Sequence, residues 1–102
     1  MAKKGYWIAH VQVTNPERYK DYVAANAAPL REYGARFLVR NGDSTAPEGQ
    51  LGSRRHVVIE FESYAVAKAC YESPEYQAAV KIRESASVGD LVIIEGYDGQ
   101  QP

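Results

Sequence analysis

Four ionisable residues, His10, Arg40, Glu60 and Glu95, each interrupt an apolar, β-branched stretch: YWIAHVQV, RFLVR, HVVIEF and LVIIEGY. A charge withdrawn from water is costly unless it is paired, so such a row on one sheet face is either a satisfied interior network or the floor of a site. His10 is the candidate general acid or base, because imidazole titrates near neutral pH and Glu60 or Glu95 would orient it. The alternative is an interior histidine satisfied within a subunit interface. Arg83 stands where the helical stripe of Tyr76, Ala79 and Val80 calls for an apolar residue. It either leans under the helix to hold a carboxylate or enolate, or snorkels with its stem packed and its head in water. Tyr22, Asn26 and Tyr76 would line a cleft between helices and sheet suited to a small aromatic or cyclic compound, or serve only as core and rim. Arg40 and Glu60 most simply form a salt bridge across paired strands.

Other chemistries find no support in the residues. Two histidines (His10, His56) and one cysteine have no metal-ligand spacing. No glycine-rich phosphate loop, dinucleotide fingerprint or G-x-S-x-G elbow occurs. The expectation is therefore no metal and no cofactor, with any catalysis resting on protein acid-base groups or on substrate and oxygen alone. Cys70, in AKACYES, reads as a small packing residue.

The 102 residues support a single domain, 1–102, and 45% hydrophobic with 25% charged residues is an ordinary globular composition. Net charge is -1, and the one basic cluster, Arg54-Arg55-His56, is too small to track phosphates, so no nucleic-acid partner is expected. No apolar run approaches the roughly 20 residues that cross a bilayer, and the N-terminus lacks a signal-peptide core. A lone cysteine fits a cytoplasmic protein. Tyrosine is in excess, eight against two phenylalanines, which suits surfaces apolar at one end and wet at the other.

The elements that would carry these residues follow from periodicity and punctuation. Residues 6–13 alternate as a strand. Thr14 or Asn15 caps a helix that opens on Pro16, with Glu17 completing a T-x-x-E box, and Pro29 should bend or interrupt its last turns before Gly34. Residues 35–41 form a second strand, 42–53 a polar, glycine-rich mobile hairpin or loop with at most a short strand, and 55–61 a third strand. Ser63 opens a second helix that Ser73-Pro74-Glu75 restarts. Gly89-Asp90 turns into a last strand at 91–97. The order β-α-β-β-α-β predicts an α+β, ferredoxin-like antiparallel sheet, strand order 4-1-3-2, with helices on one face. That order would set Glu95, His10, Glu60 and Arg40 side by side, acid beside base. The helix-covered face should hold Trp7, Ala9, Val11 and Val13 with Val57, Ile59 and Phe61. The opposite face, Tyr6, Ile8, His10 and Gln12 with His56, Val58 and Glu60, is too apolar for water, which predicts a homodimer joined sheet to sheet.

GYWIAHVQV, NPERYKDYVAANAAPL, HVVIEFESYAVA, YESPEYQAA and GDLVIIEGYDG together resemble the bacterial family called domain of unknown function thirteen-thirty, from about Gly5 to Gly99. The most specific phrases are SPEYQ at Ser73–Gln77, EF-x-S-Y at Glu60–Tyr64 and EGY at Glu95–Tyr97. The resemblance implies the dimeric α/β-barrel superfamily, whose members include cofactor-free monooxygenases, haem-degrading enzymes and lactone isomerases, and it brings no reaction of its own. Two functions of different kind follow. One is a homodimer that binds a small organic metabolite between sheet and helices. The other is a cofactor-independent enzyme acting on a small cyclic or aromatic compound, in which His10 moves a proton, Glu60 or Glu95 orients it, and Arg83 stabilises the developing anion.

Overall fold

The computed structural model describes residues 3–102. Its elements run β1 (Gly5–Val13), α1 (Pro16–Glu32), β2 (Arg36–Arg40), β3 (Arg55–Phe61), α2 (Tyr64–Glu72), α3 (Pro74–Ala86) and β4 (Ser87–Glu95). The sheet is antiparallel in the order β2-β3-β1-β4, the expected arrangement.

Local chemistry sets the helix boundaries. Asn15, not Thr14, caps α1: its Oδ1 accepts from the Arg18 amide at 3.1 Å. Glu17 accepts instead from Lys20, so the capping box does not form. Pro29 is tolerated within α1, which continues to Glu32 and ends at Gly34 with φ +70°, where a side chain would be strained. Ser73 divides α2 from α3. Its hydroxyl donates to the Cys70 carbonyl at 2.7 Å and accepts from the Tyr76 amide at 3.3 Å, so one side chain closes one helix and opens the next.

The last strand departs from expectation. No turn forms at Gly89-Asp90; β4 begins at Ser87, directly after α3, and pairs with β1 over nine residues. Gly89 permits this, because a Cβ there would meet the His10 carbonyl oxygen at 2.5 Å and the Val11 Cα at 2.9 Å. The amides of Thr14 and Asn15 donate to the Ala86 carbonyl at 2.8 and 3.0 Å, tying the end of β1 to the end of α3.

Register confirms both sheet faces. Trp7 pairs with Ile59, and Ala9 with Val57, on the side that the helices cover. Trp7, Phe61, Tyr76, Ala67 and Cys70 form the centre of the core there. Trp7 contacts Phe61 at 5.0 Å and Tyr76 at 4.7 Å between ring centroids, and its indole N–H donates to the Ala67 carbonyl at 2.9 Å, so the largest core residue leaves no polar atom unsatisfied. The opposite face carries no second layer in this single chain, and Val88, Val92 and Ile94 of β4 stand 55%, 50% and 47% exposed.

Candidate functional site: a cleft between the helices and the sheet

One end of the sheet brings together the close of β1, the start of β3, the close of β2 and the start of β4. The register pairs Val11 with both Arg55 and Gly89, and Arg40 with Val57. Above this end, α1 and α3 stand off the sheet and leave a cleft of about 420 Å³. Trp7, Ala9, Val57, Ile59, Phe37 and Leu91 make its apolar floor. Tyr19, Tyr22, Val23 and Asn26 from α1 and Tyr76, Arg83 and Glu84 from α3 make its roof, with Arg40, Arg55 and Ser87–Asp90 at the strand ends.

Of the residues singled out in the sequence, Tyr22, Asn26, Arg40, Tyr76 and Arg83 meet in this cleft. His10, Glu60 and Glu95 do not line it, and the expected row of four charges is not formed. His10 lies opposite His56 on the uncovered face, their Nδ1 atoms 2.9 Å apart, one donating and the other accepting. Glu60 pairs across strands with Tyr6 and Arg36, and accepts from the Tyr6 hydroxyl at 3.2 Å. No Arg40–Glu60 salt bridge exists among the described residues, because a bulge between Phe37 and Val39 shifts the parity of β2. Phe37 faces the helices, Val39 pairs with outward Val58, and Arg40 pairs with inward Val57, so the bulge turns Arg40 into the cleft. Glu95 pairs with Gly5, in phase with Leu91 and Ile93, and reaches Lys3 at 3.7 Å near the surface. A geometry in which His10 and Arg83 touch one ligand is therefore not available in this chain: the sheet lies between them.

The polar heart of the cleft is a three-member chain. Arg83 Nη1 donates to the Tyr76 hydroxyl at 2.8 Å, and the Tyr76 and Tyr22 hydroxyls lie 2.7 Å apart. Tyr76 is fully buried. Either hydroxyl of this pair can donate; because the Tyr76 oxygen already accepts from Arg83, we assign the donor role to Tyr76 and the acceptor role to Tyr22. Tyr22 then keeps a free O–H, polarised by the chain behind it. Burial, and then the neighbouring Tyr22, push the Tyr76 hydroxyl far above the usual phenol range, so it stays a neutral relay. Burial opposes the charge on Arg83, and the Tyr76 and Tyr22 oxygens outweigh it, holding its pKa above the ordinary value. Tyr19 is also raised, by burial first and Tyr22 second, against Arg55 and Arg83.

Sequence reasoning missed Arg55. It read as part of a small basic surface cluster, although its alternation with Val57 and Ile59 was the available signal that it faces inward. Its guanidinium lies 5.5 Å from the Tyr19 ring centroid, and its Nε is buried with no hydrogen-bond partner. Cys70 lies elsewhere in the core, its Sγ 3.8 Å from the Pro29 carbonyl, and burial pushes its thiol up to about 12. No group of three or more metal-ligating side chains occurs among the described residues. Among the described residues, no helix is long and apolar enough to cross a membrane.

The profile of one family, domain of unknown function DUF1330, matches residues 4–97. The chain belongs to that family. Among curated proteins, none matches. Solved structures extend the likeness to fold. The RPA0582 protein of unknown function from Rhodopseudomonas palustris superposes with a TM-score of 0.76 at 17% identity, covering 97% of this chain and 86% of its own. SnoaB, a cofactor-independent oxygenase from Streptomyces nogalater, superposes at 0.63 with 13% identity, covering 99% of this chain and 97% of its own. An uncharacterized NIPSNAP domain protein from Burkholderia xenovorans superposes at 0.52 with 18% identity, covering 96% and 99%. At these identities the DUF1330 chain shares with its structural neighbours the ferredoxin-like α+β fold.

Proposed function

We propose that this DUF1330 protein binds a small organic metabolite in the cleft between its helices and sheet, as a homodimer joined through the uncovered sheet face. The observation that carries the reading is the cleft itself: about 420 Å³, with an apolar floor and a few convergent polar groups in its roof, within the size range of small-molecule sites. A tightly packed core would have closed this space. The lone buried thiol of Cys70 supports a reducing compartment such as the cytoplasm.

A thermal-shift screen of small cyclic and aromatic compounds tests the binding. A ligand at one hundred times its Kd stabilises the folded state by about 2.7 kcal/mol. Ala9→Trp, which fills the floor of the cleft, should abolish the shift. If no compound stabilises the protein at millimolar concentration and Ala9→Trp simply raises the melting temperature, the space is a packing void and the reading fails.

The ordered chain from Arg83 through Tyr76 to Tyr22 favours a second reading, cofactor-independent acid-base catalysis on a cyclic or aromatic compound. Tyr22 would donate to an oxygen on which charge develops, with Arg83 holding the relay polarised. A cofactor-independent oxygenase among the structural neighbours is compatible with such chemistry. In this reading Tyr22→Phe retains ligand binding and loses turnover; equal turnover in the variant excludes it.

A further inference from the structure

Three guanidinium groups reach the cleft from three elements: Arg40 from β2, Arg55 from β3 and Arg83 from α3. Arg83 is engaged by Tyr76. Arg40 and Arg55 are not engaged by any acid: among the described residues, the five ion pairs use Lys3, Lys4, Arg18 and Lys20, all outside the cleft. Glu84 and Asp90 reach the cleft wall, yet neither comes within 4.0 Å of a guanidinium nitrogen. The chain has 13 acidic residues against 12 basic ones, so leaving these arginines without partners is a feature of placement and not of supply.

Both arginines are also held ready. Arg40 stacks over the Phe37 ring, its Cζ 4.1 Å from the centroid, which fixes the plane of the guanidinium and leaves its N–H edge free. Arg55 is positioned by Tyr19, and its buried Nε–H lacks an acceptor. An unsatisfied buried donor is unfavourable, and a carboxylate accepting edge-on from Nε and a terminal nitrogen would satisfy it. The register sets Arg40 and Arg55 diagonally on neighbouring strands, roughly 7–8 Å apart at the backbone, close enough to share one anion. Away from the two guanidinium groups, the floor at Trp7 and Ile59 is apolar. The volume of the cleft is roughly three times the ~150 Å³ cavity that holds benzene.

We propose that the ligand is an aromatic carboxylate of one or two rings, its carboxylate clamped by Arg55 and Arg40 and its ring laid on the Trp7–Ile59 floor. This rests on the reading of the cleft as a ligand site and adds the charge and place of its anchor. Calorimetric titration of the full chain with 2-naphthoate and with neutral 2-naphthalenemethanol tests it. The acid should bind at least about 10-fold tighter. Arg55→Gln should weaken the acid by roughly 10- to 100-fold while leaving the alcohol unchanged, the loss expected for a charged hydrogen bond. Arg40→Gln should act in the same direction, and Arg18→Gln, outside the cleft, should change neither. If Arg55→Gln does not fold, Arg55→Lys keeps the charge without the bidentate fork and should still weaken the acid. Equal affinity for acid and alcohol overturns the clamp and leaves the cleft as a ligand site. Undiminished acid binding in the Arg55 and Arg40 variants also overturns it. Binding of neither compound overturns both readings.

Discussion

Tyr76 shows how one hydroxyl can commit a whole site. It is buried, it accepts from Arg83, and it shares a 2.7 Å bond with Tyr22. Tyr76→Phe strands two partners at once and should destabilise the fold by about 2–3 kcal/mol, read from urea midpoints. Tyr22→Phe strands only the Tyr76 proton and should cost about 1–2 kcal/mol. A double-mutant cycle should give a coupling of at least about 0.5 kcal/mol; strict additivity would mean that the two hydroxyls do not act as one chain. Cys70 illustrates the opposite role. Its thiol pKa rises from 9.0 to about 12 through burial, so the folded state holds its proton more tightly than the unfolded chain. That contribution is complete below pH 9.0 and is lost as pH climbs towards 12. Stability measured across this window should fall with rising pH, and Cys70→Ala should flatten part of the slope. At neutral pH a thiol reagent should label Cys70 only when the protein unfolds.

Among the elements, β2 and β4 decide what the cleft contains. The bulge in β2 reverses the side on which Arg40 emerges, and the close approach of Gly89 to β1 brings the start of β4 against the cleft wall. A side chain at position 89 would meet backbone atoms on β1 that cannot swing aside. Gly89→Ala should therefore cost about 1–3 kcal/mol, seen as a fall of several degrees in melting temperature. A variant as stable as the parent would mean that β1 and β4 separate more readily than their nine-residue pairing suggests.

For the whole molecule, the unresolved balance lies on the uncovered sheet face. Val92 and Ile94 stand about half exposed beside Ile8, Val58 and the His10–His56 pair. The proposed homodimer would withdraw this apolar surface from water. Sedimentation at micromolar concentration should find a two-chain particle, and Val92→Glu should convert it to one chain. The melting temperature of the parent should rise with protein concentration and that of the variant should not. A concentration-independent single-chain parent would leave the face open and refute the homodimer.

The alternation of GYWIAHVQV and HVVIEF was enough to assign both sheet faces correctly, because apolar and polar residues occupy opposite parities there. The helix starts at Asn15-Pro16 and Ser73-Pro74 were equally legible, since capping chemistry is local. Tyr22, Asn26, Tyr76 and Arg83 could be placed in a cleft for the same reason: helical spacing carries them to one side. What the chain alone could not decide were parities without a pattern. In LVIIEGY both sets of alternate residues begin apolar, so nothing local said that Glu95 travels with Leu91 and Ile93. In RFLVR the bulge comes from pairing with β3, a long-range contact, and it alone turned Arg40 from a presumed partner of Glu60 into a wall of the cleft. Arg55 joined it because register, not residue type, determines which side of a pleated strand a charge must occupy.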